Sequence, residues 1–311
     1  AVTALAGETL APSHELATLP FSLQFVATMA TTMPASLLMQ RIGRRGGFLI
    51  GLGAGGVGTS LSAVGLYAGS FGLFAFGSAL IGILNGFAIF YRFAAADAAA
   101  DAFKSRAIAF VMAGGVVAAF TGPNLARLTV HWIEGAPYAG SFAALVGVHI
   151  LSAILLMGVD IPRERIGGPA DLGRPLGAIM RNAAFVVALS AAVAAYASMS
   201  LIMTATPPAM IVHGHAFSSA AFVIQWHIFG MFAPSFFTGH LIARFGATRI
   251  IAAGALLILL CAGVDVSGET VAHFSVGLLL LGVGWNFMFI GATSLLAKAH
   301  TGPEKAKVQG I

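Results

Sequence analysis

Glycines, histidines and amides are the residues here whose spacing could do chemistry. Gly51, Gly53 and Gly56 satisfy G-x-G-x-x-G, the spacing that lets a backbone cradle a pyrophosphate. That use needs a strand before the glycines and an acid about 20 residues beyond, and residues 66–80 contain no acid. Gly51 and Gly55, like Gly82 and Gly86, read instead as small-xxx-small packing between membrane helices. The signatures H-E-x-x-H, C-x-x-C and G-x-S-x-G are absent, and the lone Cys261 allows neither a disulfide nor a thiolate metal site. No enzyme, metal or cofactor is expected. What remains is a set of polar side chains inside apolar runs, where each is costly and therefore a functional candidate. Gln24, Thr28, Thr31 and Thr32 fall on one helical stripe, as do Tyr196, Met199 and Met203. Asn85 and Asn286 stand beside Gly86 and Trp285, and Gln225 and His227 lie within "FVIQWHIFGM". Hydrogen bonding between helices is the competing use of all of them.

The elements that must position these residues follow from composition. The chain is 58% hydrophobic and 9% charged, with mean hydropathy +0.92, against about 25% charged in a soluble domain. About 20 apolar residues cross a bilayer as a helix. Nine such stretches are expected, at 16–40, 47–69, 71–95, 106–129, 138–160, 182–206, 216–242, 248–265 and 270–297. The alternation of an outer-membrane barrel is missing, so the fold class is an all-α membrane protein. Fifteen of the sixteen basic residues fall on one side of the alternating loops, and Arg127 alone falls on the other. The basic side is cytoplasmic by the positive-inside rule. The net charge of +5 and pI of 9.8 therefore report topology and exclude a nucleic-acid partner, which would need a basic patch with interleaved aromatics.

The chain also repeats itself. Gln24 recurs as Gln225, Gly43 as Gly246, Gly82 as Gly282, and "KSRA" from Lys104 echoes "EKAK" from Glu304, at offsets of 201, 203, 200 and 200 residues. Projecting that period forward and back leads to an expected twelve-helix parent of two six-helix bundles, whose first helix and last two are missing here. The expected domains are an N-terminal bundle at 1–160, a cytoplasmic linker at 161–181, and a C-terminal bundle at 182–311. Both termini of the full-length protein are expected to be cytoplasmic.

"SLLMQRIGRR" (Ser36 to Arg45) resembles the G-x-L-a-D-R-x-G-R-[KR] loop of the major facilitator superfamily (MFS) through Leu38, Arg41, Gly43, Arg44 and Arg45. "GHLIARFGAT" resembles it through Gly239, Leu241, Arg244 and Gly246. The motif's acidic position is Gln40, so the charge relay of the family is altered or carried elsewhere. The resemblance implies a transporter that works by alternating access. It also implies a substrate cavity lined by Asn85, Asn124, Tyr196, Met203, Gln225, Trp285 and Asn286, and a cytoplasmic gate at Arg41, Gly43, Arg45 and Arg244. Asp97 and Asp101, four apart, are expected to share a helix face and to latch Arg41 and Arg45. Gly122-Pro123 resembles the motif of the superfamily's exporters, and Pro123 is expected to bend its helix. Arg127 is expected to face Glu134.

The expected partners are a small-molecule substrate, the lipid bilayer and protons. None of the eleven acids lies deep in a complete span, which leaves His227, with an ordinary pKa of about 6.5, as the proton-coupling candidate. Proton-coupled efflux of a small organic molecule through the inner membrane is the first expectation. Uptake or facilitated diffusion of a metabolite is the runner-up, and a non-transporting scaffold or sensor is the reading from another class.

Overall fold

Gly43 and Gly246 turn the chain the same way, with φ 87° and ψ 160° and 151° respectively. Only glycine adopts this region readily. Each glycine closes one helix and opens the next: the Gly43 N–H donates to the Met39 carbonyl and the Gly246 N–H to the Ile242 carbonyl, both at 2.9 Å. The repeat read from the sequence thus has a backbone counterpart at its two arginine-glycine loops.

The computed structural model describes residues 2–161 and 174–299, together with Glu304 and Val308. Lys305, Lys307, Arg163 and Arg165 lie outside the described residues. Helices make up the architecture, and no strand occurs among the described residues. They are α1 (Val2–Leu10), α2 (Leu19–Ile42), α3 (Arg44–Tyr67), α4 (Phe71–Ala88), α5 (Tyr91–Ala98), α6 (Lys104–Thr129), α7 (Ala139–Met157), α8 (Leu176–Ile179), α9 (Ala183–Val212), α10 (Phe217–Phe232), α11 (Ser235–Phe245), α12 (Ala247–Ser267) and α13 (Val271–Lys298). Polar caps start several of them. The Asn182 side chain accepts from the Ala184 and Phe185 N–H groups, and Ser70 accepts from Leu73, satisfying donors that the helix itself leaves open.

Eight helical stretches among the described residues are long and apolar enough to cross a membrane. The ninth expected span, 216–242, is broken into α10 and α11 at Ala233-Pro234. Pro234 contributes, since it has no N–H to give the Gly230 carbonyl. Proline alone does not break a helix here: Pro34, Pro123 and Pro207-Pro208 lie inside the unbroken α2, α6 and α9. Hydropathy cannot register such a break because both pieces are apolar. A second difference lies after α5. Ala100 is extended (φ −59°, ψ 150°) and Asp101 opens a separate 3-10 turn, so Asp97 and Asp101 do not share one helix face.

The chain divides into two compact units. One comprises Ala1–Ala94, Thr121–Gly173 and Gly302–Ile311; the other comprises Ala95–Phe120 and Arg174–Thr301. In the first, α3 packs on α4, α7 and α2, and α2 packs on α4. A Cβ on Gly58 would press on the Gly77 carbonyl at 2.7 Å, and one on Gly77 on the Gly58 carbonyl at 2.6 Å. In the second unit α13 packs on α12, α10 and α9, with Gly254 and Gly284 in the same reciprocal contact. Hydrocarbon provides no hydrophobic force between helices, so close backbone approach of this kind is what holds them together. Outward positions such as Met29, Val57 and Leu259 are exposed and apolar, as a lipid-facing surface requires.

Substituting Gly246 with Ala is expected to lower stability by about 1–3 kcal/mol, because the turn lies where a Cβ clashes with its own backbone. Thermal unfolding of the variant in detergent measures it. A variant as stable as the native protein would show that this turn is not strained.

Candidate functional site

The polar residues read from the sequence fall into distinct settings. On α9 and α13, Tyr196, Met203 and Trp285 come together with Phe289, Met199 and Met231 in one cluster of the second unit. The Trp285 and Phe289 rings are stacked, with centroids 4.7 Å apart and planes 16° from parallel. Tyr196 stands edge-on to both, at 5.5 and 5.2 Å, and Phe232 meets Trp285 at 6.1 Å. Trp285 is 2% exposed and Tyr196 is 46% exposed. Aromatic rings favour edge-on and offset contacts of this kind because their faces are negative and their edges positive. The indole N–H of Trp285 is buried without a hydrogen-bond partner among the described residues, and such a group normally finds one. The site therefore offers a flat aromatic wall, one unused donor and a partly exposed tyrosine over them.

Asn286, the next residue of α13, is 0% exposed and fully engaged. Its Nδ2 donates to the Met231 carbonyl at 2.6 Å and to Ser235 Oγ at 2.7 Å, while its Oδ1 accepts from Thr238 Oγ1 at 2.7 Å. These partners flank the break between α10 and α11. Gln225 is exposed on α10. Asn85, half-buried on α4, and Asn124, exposed on α6, belong to the first unit. Arg127 turns to Asn124 Oδ1 at 3.4 Å rather than to Glu134, the shorter reach along one helix (i to i+3). α6 runs unbroken from Lys104 to Thr129, so the kink expected at Pro123 does not interrupt the helix.

His227 is 0% exposed; its Nδ1 lies 2.9 Å from the Leu278 carbonyl and its Nε2 has no partner among the described residues. Since a carbonyl only accepts, the Nδ1–H tautomer is the one that satisfies this contact. His227 also corrects the alignment of the repeat. Gly82 closes on the carbonyl of Gln24, and Gly282 closes on that of His227, so packing pairs Gln24 with His227 rather than with Gln225.

At the arginine-glycine loop, Arg45 donates to the Met157 carbonyl at the end of α7, a cation placed at a negative helix end. Arg174 does the same for Ala299 beyond α13, at 3.3 Å. Asp101 pairs with Lys104 at 2.7 Å. Gly239 of the second loop lies against the backbone of Ser105 and Arg106, 2.8 Å from a Cβ placed there, so α11 sits directly on the start of α6. Arg41, Arg44 and Asp97 all have interaction partners, and Arg244 stacks on Phe245 at 5.2 Å.

Asp265 is a polar residue within a span that hydropathy passed over. It lies two residues inside the end of α12, where Oδ2 accepts from Cys261 Sγ at 3.3 Å and Oδ1 abuts the backbone of Gly277. Its signal in the sequence was the facing glycine, visible only once α12 and α13 are paired.

Apolar helices in two units, glycine turns in register and an aromatic-lined polar site define a multi-pass membrane carrier. The chain belongs to the Major Facilitator Superfamily, whose family profile matches residues 1–311. It is a membrane transporter of that family, not an enzyme. It is 42% identical to the riboflavin transporter RfnT of Brucella anthropi over 308 residues, covering 98% of this chain and 77% of that protein. It is 30% identical to the uncharacterized MFS-type transporter YddS of Bacillus subtilis, covering 99% of this chain and 75% of that one. Among solved structures, a variant of the E. coli fucose:proton symporter FucP matches with a TM-score of 0.73 at 19% identity, covering 99% of this chain and 84% of that one. FucP in the outward conformation matches with 0.74 at 20%, covering 99% and 82%. At those identities the likeness is one of fold.

Replacing Arg45 with Ala is expected to cost about 1 kcal/mol of stability by uncovering the last turn of α7, while Asp101→Asn is expected to leave stability unchanged because its pair is open to water. Equal losses from the two, measured by thermal unfolding in detergent, would refute the assignment of Arg45 to α7.

Proposed function

We propose that this protein carries riboflavin, or a heterocycle of the same flat aromatic type, across the cytoplasmic membrane by alternating access. The observation that carries this reading is the stacked Trp285–Phe289 pair with its unused indole N–H. An isoalloxazine ring presents an extended π-face and carbonyl acceptors, so it can stack where Tyr196 now covers the wall and accept from the indole. The 42% identity to a riboflavin transporter supports the same substrate class. A metabolite carrier was the runner-up from the sequence, and this substrate favours it.

Proton-coupled efflux is the second reading, kept by Gly122-Pro123 and by His227, the buried titratable group between α10 and α13. In either direction His227 is the proton-coupling candidate, and Asn85, Asn124 and Gln225 are candidates for the polar remainder of the cavity. We place the basic loops, Arg41, Arg45 and Arg244 among them, at the cytoplasmic face of the inner membrane, where anionic lipid favours them. Arg41 and Arg45 with Asp97 and Asp101 are the proposed gate. The broken α10 and α11 count together as a ninth span, in two halves of a six-helix plan divided near 161–181, with both termini of the full-length protein cytoplasmic.

Liposomes loaded with buffer at either pH test substrate, coupling and direction together. Radiolabelled riboflavin is expected to accumulate under a pH gradient, and its polarity gives the direction. Trp285→Leu is expected to raise KM about tenfold through loss of stacking and of one hydrogen bond. His227→Gln is expected to abolish the response to the gradient while exchange persists. No riboflavin movement in either direction would overturn the substrate, and gradient-driven transport by His227→Gln would remove that residue from coupling.

A further inference from the structure

The break in the second unit's α10–α11 helix is organised in a way that its apolar sequence does not require. The Gly230 carbonyl loses its donor to Pro234, and α11 restarts through Phe237 N–H and Thr238 N–H, both donating to the Pro234 carbonyl at 2.9 and 2.8 Å. Asn286 then reaches across from α13. One of its bonds, to the Met231 carbonyl, is on the α10 side; the other two, to Ser235 and Thr238, are on the α11 side. A single buried amide therefore spans both sides of the break.

The first unit shows what this position does without a hinge. There Gly86 lies against Thr31 and Thr28 of the unbroken α2, four residues beyond Gly82, as Asn286 lies four residues beyond Gly282. The glycine allows backbone contact with a continuous helix, whereas the asparagine fills the same place with a side chain that bonds both halves of a broken one.

Thr238 adds a second feature. Its hydroxyl has one proton and two acceptors within reach, Asn286 Oδ1 at 2.7 Å and the Pro234 carbonyl at 2.8 Å. When α11 swings away from α13, that proton can turn to Pro234 within its own helix, so the donor is never stranded in hydrocarbon. Two glycines let α6 approach the broken helix closely: Gly115 of α6 admits the Phe232 ring just before the break, and Gly239 of α11 admits the α6 backbone one and a half turns after it. Phe232 in turn touches Trp285.

We propose that Asn286 is a positioning residue that latches a hinge at Ala233-Pro234, closing α11 onto α13 in one state of the transport cycle and releasing it in the other. It acts on the conformational step, through helix geometry, and not by touching substrate. The hinge itself follows from the bonds described here; its expression in riboflavin transport rests on the substrate reading above.

Thr238→Val removes the α11-side hydroxyl at constant shape, and Thr238→Ser restores it; Asn286→Leu removes the whole latch. Radiolabelled riboflavin counterflow in liposomes is read beside the labelling of a Phe245→Cys reporter, at the exposed end of α11, by a membrane-impermeant maleimide in a Cys261→Ser background. Thr238→Val is expected to leave KM unchanged, to lower the maximal rate about threefold, and to raise ligand-free labelling by a similar factor, the scale of one interhelical hydrogen bond in a membrane. Thr238→Ser is expected to return both readouts to native values. Asn286→Leu is expected to shift both further if it folds, and Thr238→Val decides the matter if it does not. Native maximal rate and labelling in Thr238→Val would overturn the latch, as would a change confined to KM. If the native protein moves no riboflavin, the substrate reading falls, and the ligand-free labelling still decides for or against the hinge.

Discussion

In hydrocarbon a backbone carbonyl that loses its donor has no water to turn to, and the second unit is arranged around one place where that happens. The α10–α11 helix is interrupted at Ala233-Pro234, where Pro234 takes the helical donor from the Gly230 carbonyl, Asn286 serves the Met231 carbonyl, and the threonine and serine of α11 complete the amide's bonding. Removing that asparagine would leave more than one polar group unmatched at once. Buried polar networks are strong when complete and costly when partial, so this one constrains α10, α11 and α13 as a group. The aromatic wall is attached to the same point, since Trp285 is the neighbour of Asn286 and Phe232 is two residues before Pro234.

Packing elsewhere rests on the same absence of solvent. With no hydrophobic drive between helices, association depends on how closely backbones approach and on the hydrogen bonds that cross between them. The reciprocal glycine pairs, Gly58 with Gly77 and Gly254 with Gly284, supply the first in each unit. Side-chain bonds supply the second unequally. In the first unit Thr28 Oγ1 donates to the Gly82 carbonyl at 3.0 Å and Thr129 and Ser141 join α6 to α7, whereas in the second three bonds converge on one amide. The two halves are thus built on one plan and differ where polar groups are gathered.

Much of this plan could be read before any coordinates. Long apolar runs report spans because twenty residues of hydrocarbon leave little freedom in composition. Gly43 and Gly246 report turns because their backbone angles admit little else. The aromatic and methionine stripe of Tyr196, Met199 and Met203 was legible as one helix face, and it does meet Trp285. What periodicity could not show was partnership. Gln24 and Gln225 match as letters, yet packing pairs Gln24 with His227, because the register of two helices depends on where glycines let them touch. Asp97 and Asp101 have helical spacing, but an extended Ala100 separates them. Asn286 was legible as a costly polar residue; that its amide faces a neighbouring helix break depends on Pro234, more than fifty positions away in sequence.

A costly residue inside a membrane span is commonly read as a contact for substrate, and this chain shows why the reading must be made atom by atom. Trp285 and Asn286 are adjacent, both buried, and both apt to bind a ligand by residue type. One has its polar group unspent and an exposed ring beside it; the other has every polar atom engaged by protein. The unspent donor can recognise a substrate carbonyl, while the engaged amide can only hold or release a helix. The proposed recognition and the proposed movement thus fall on consecutive residues of α13, so a change at the wall reaches the hinge through a single residue step of the helix.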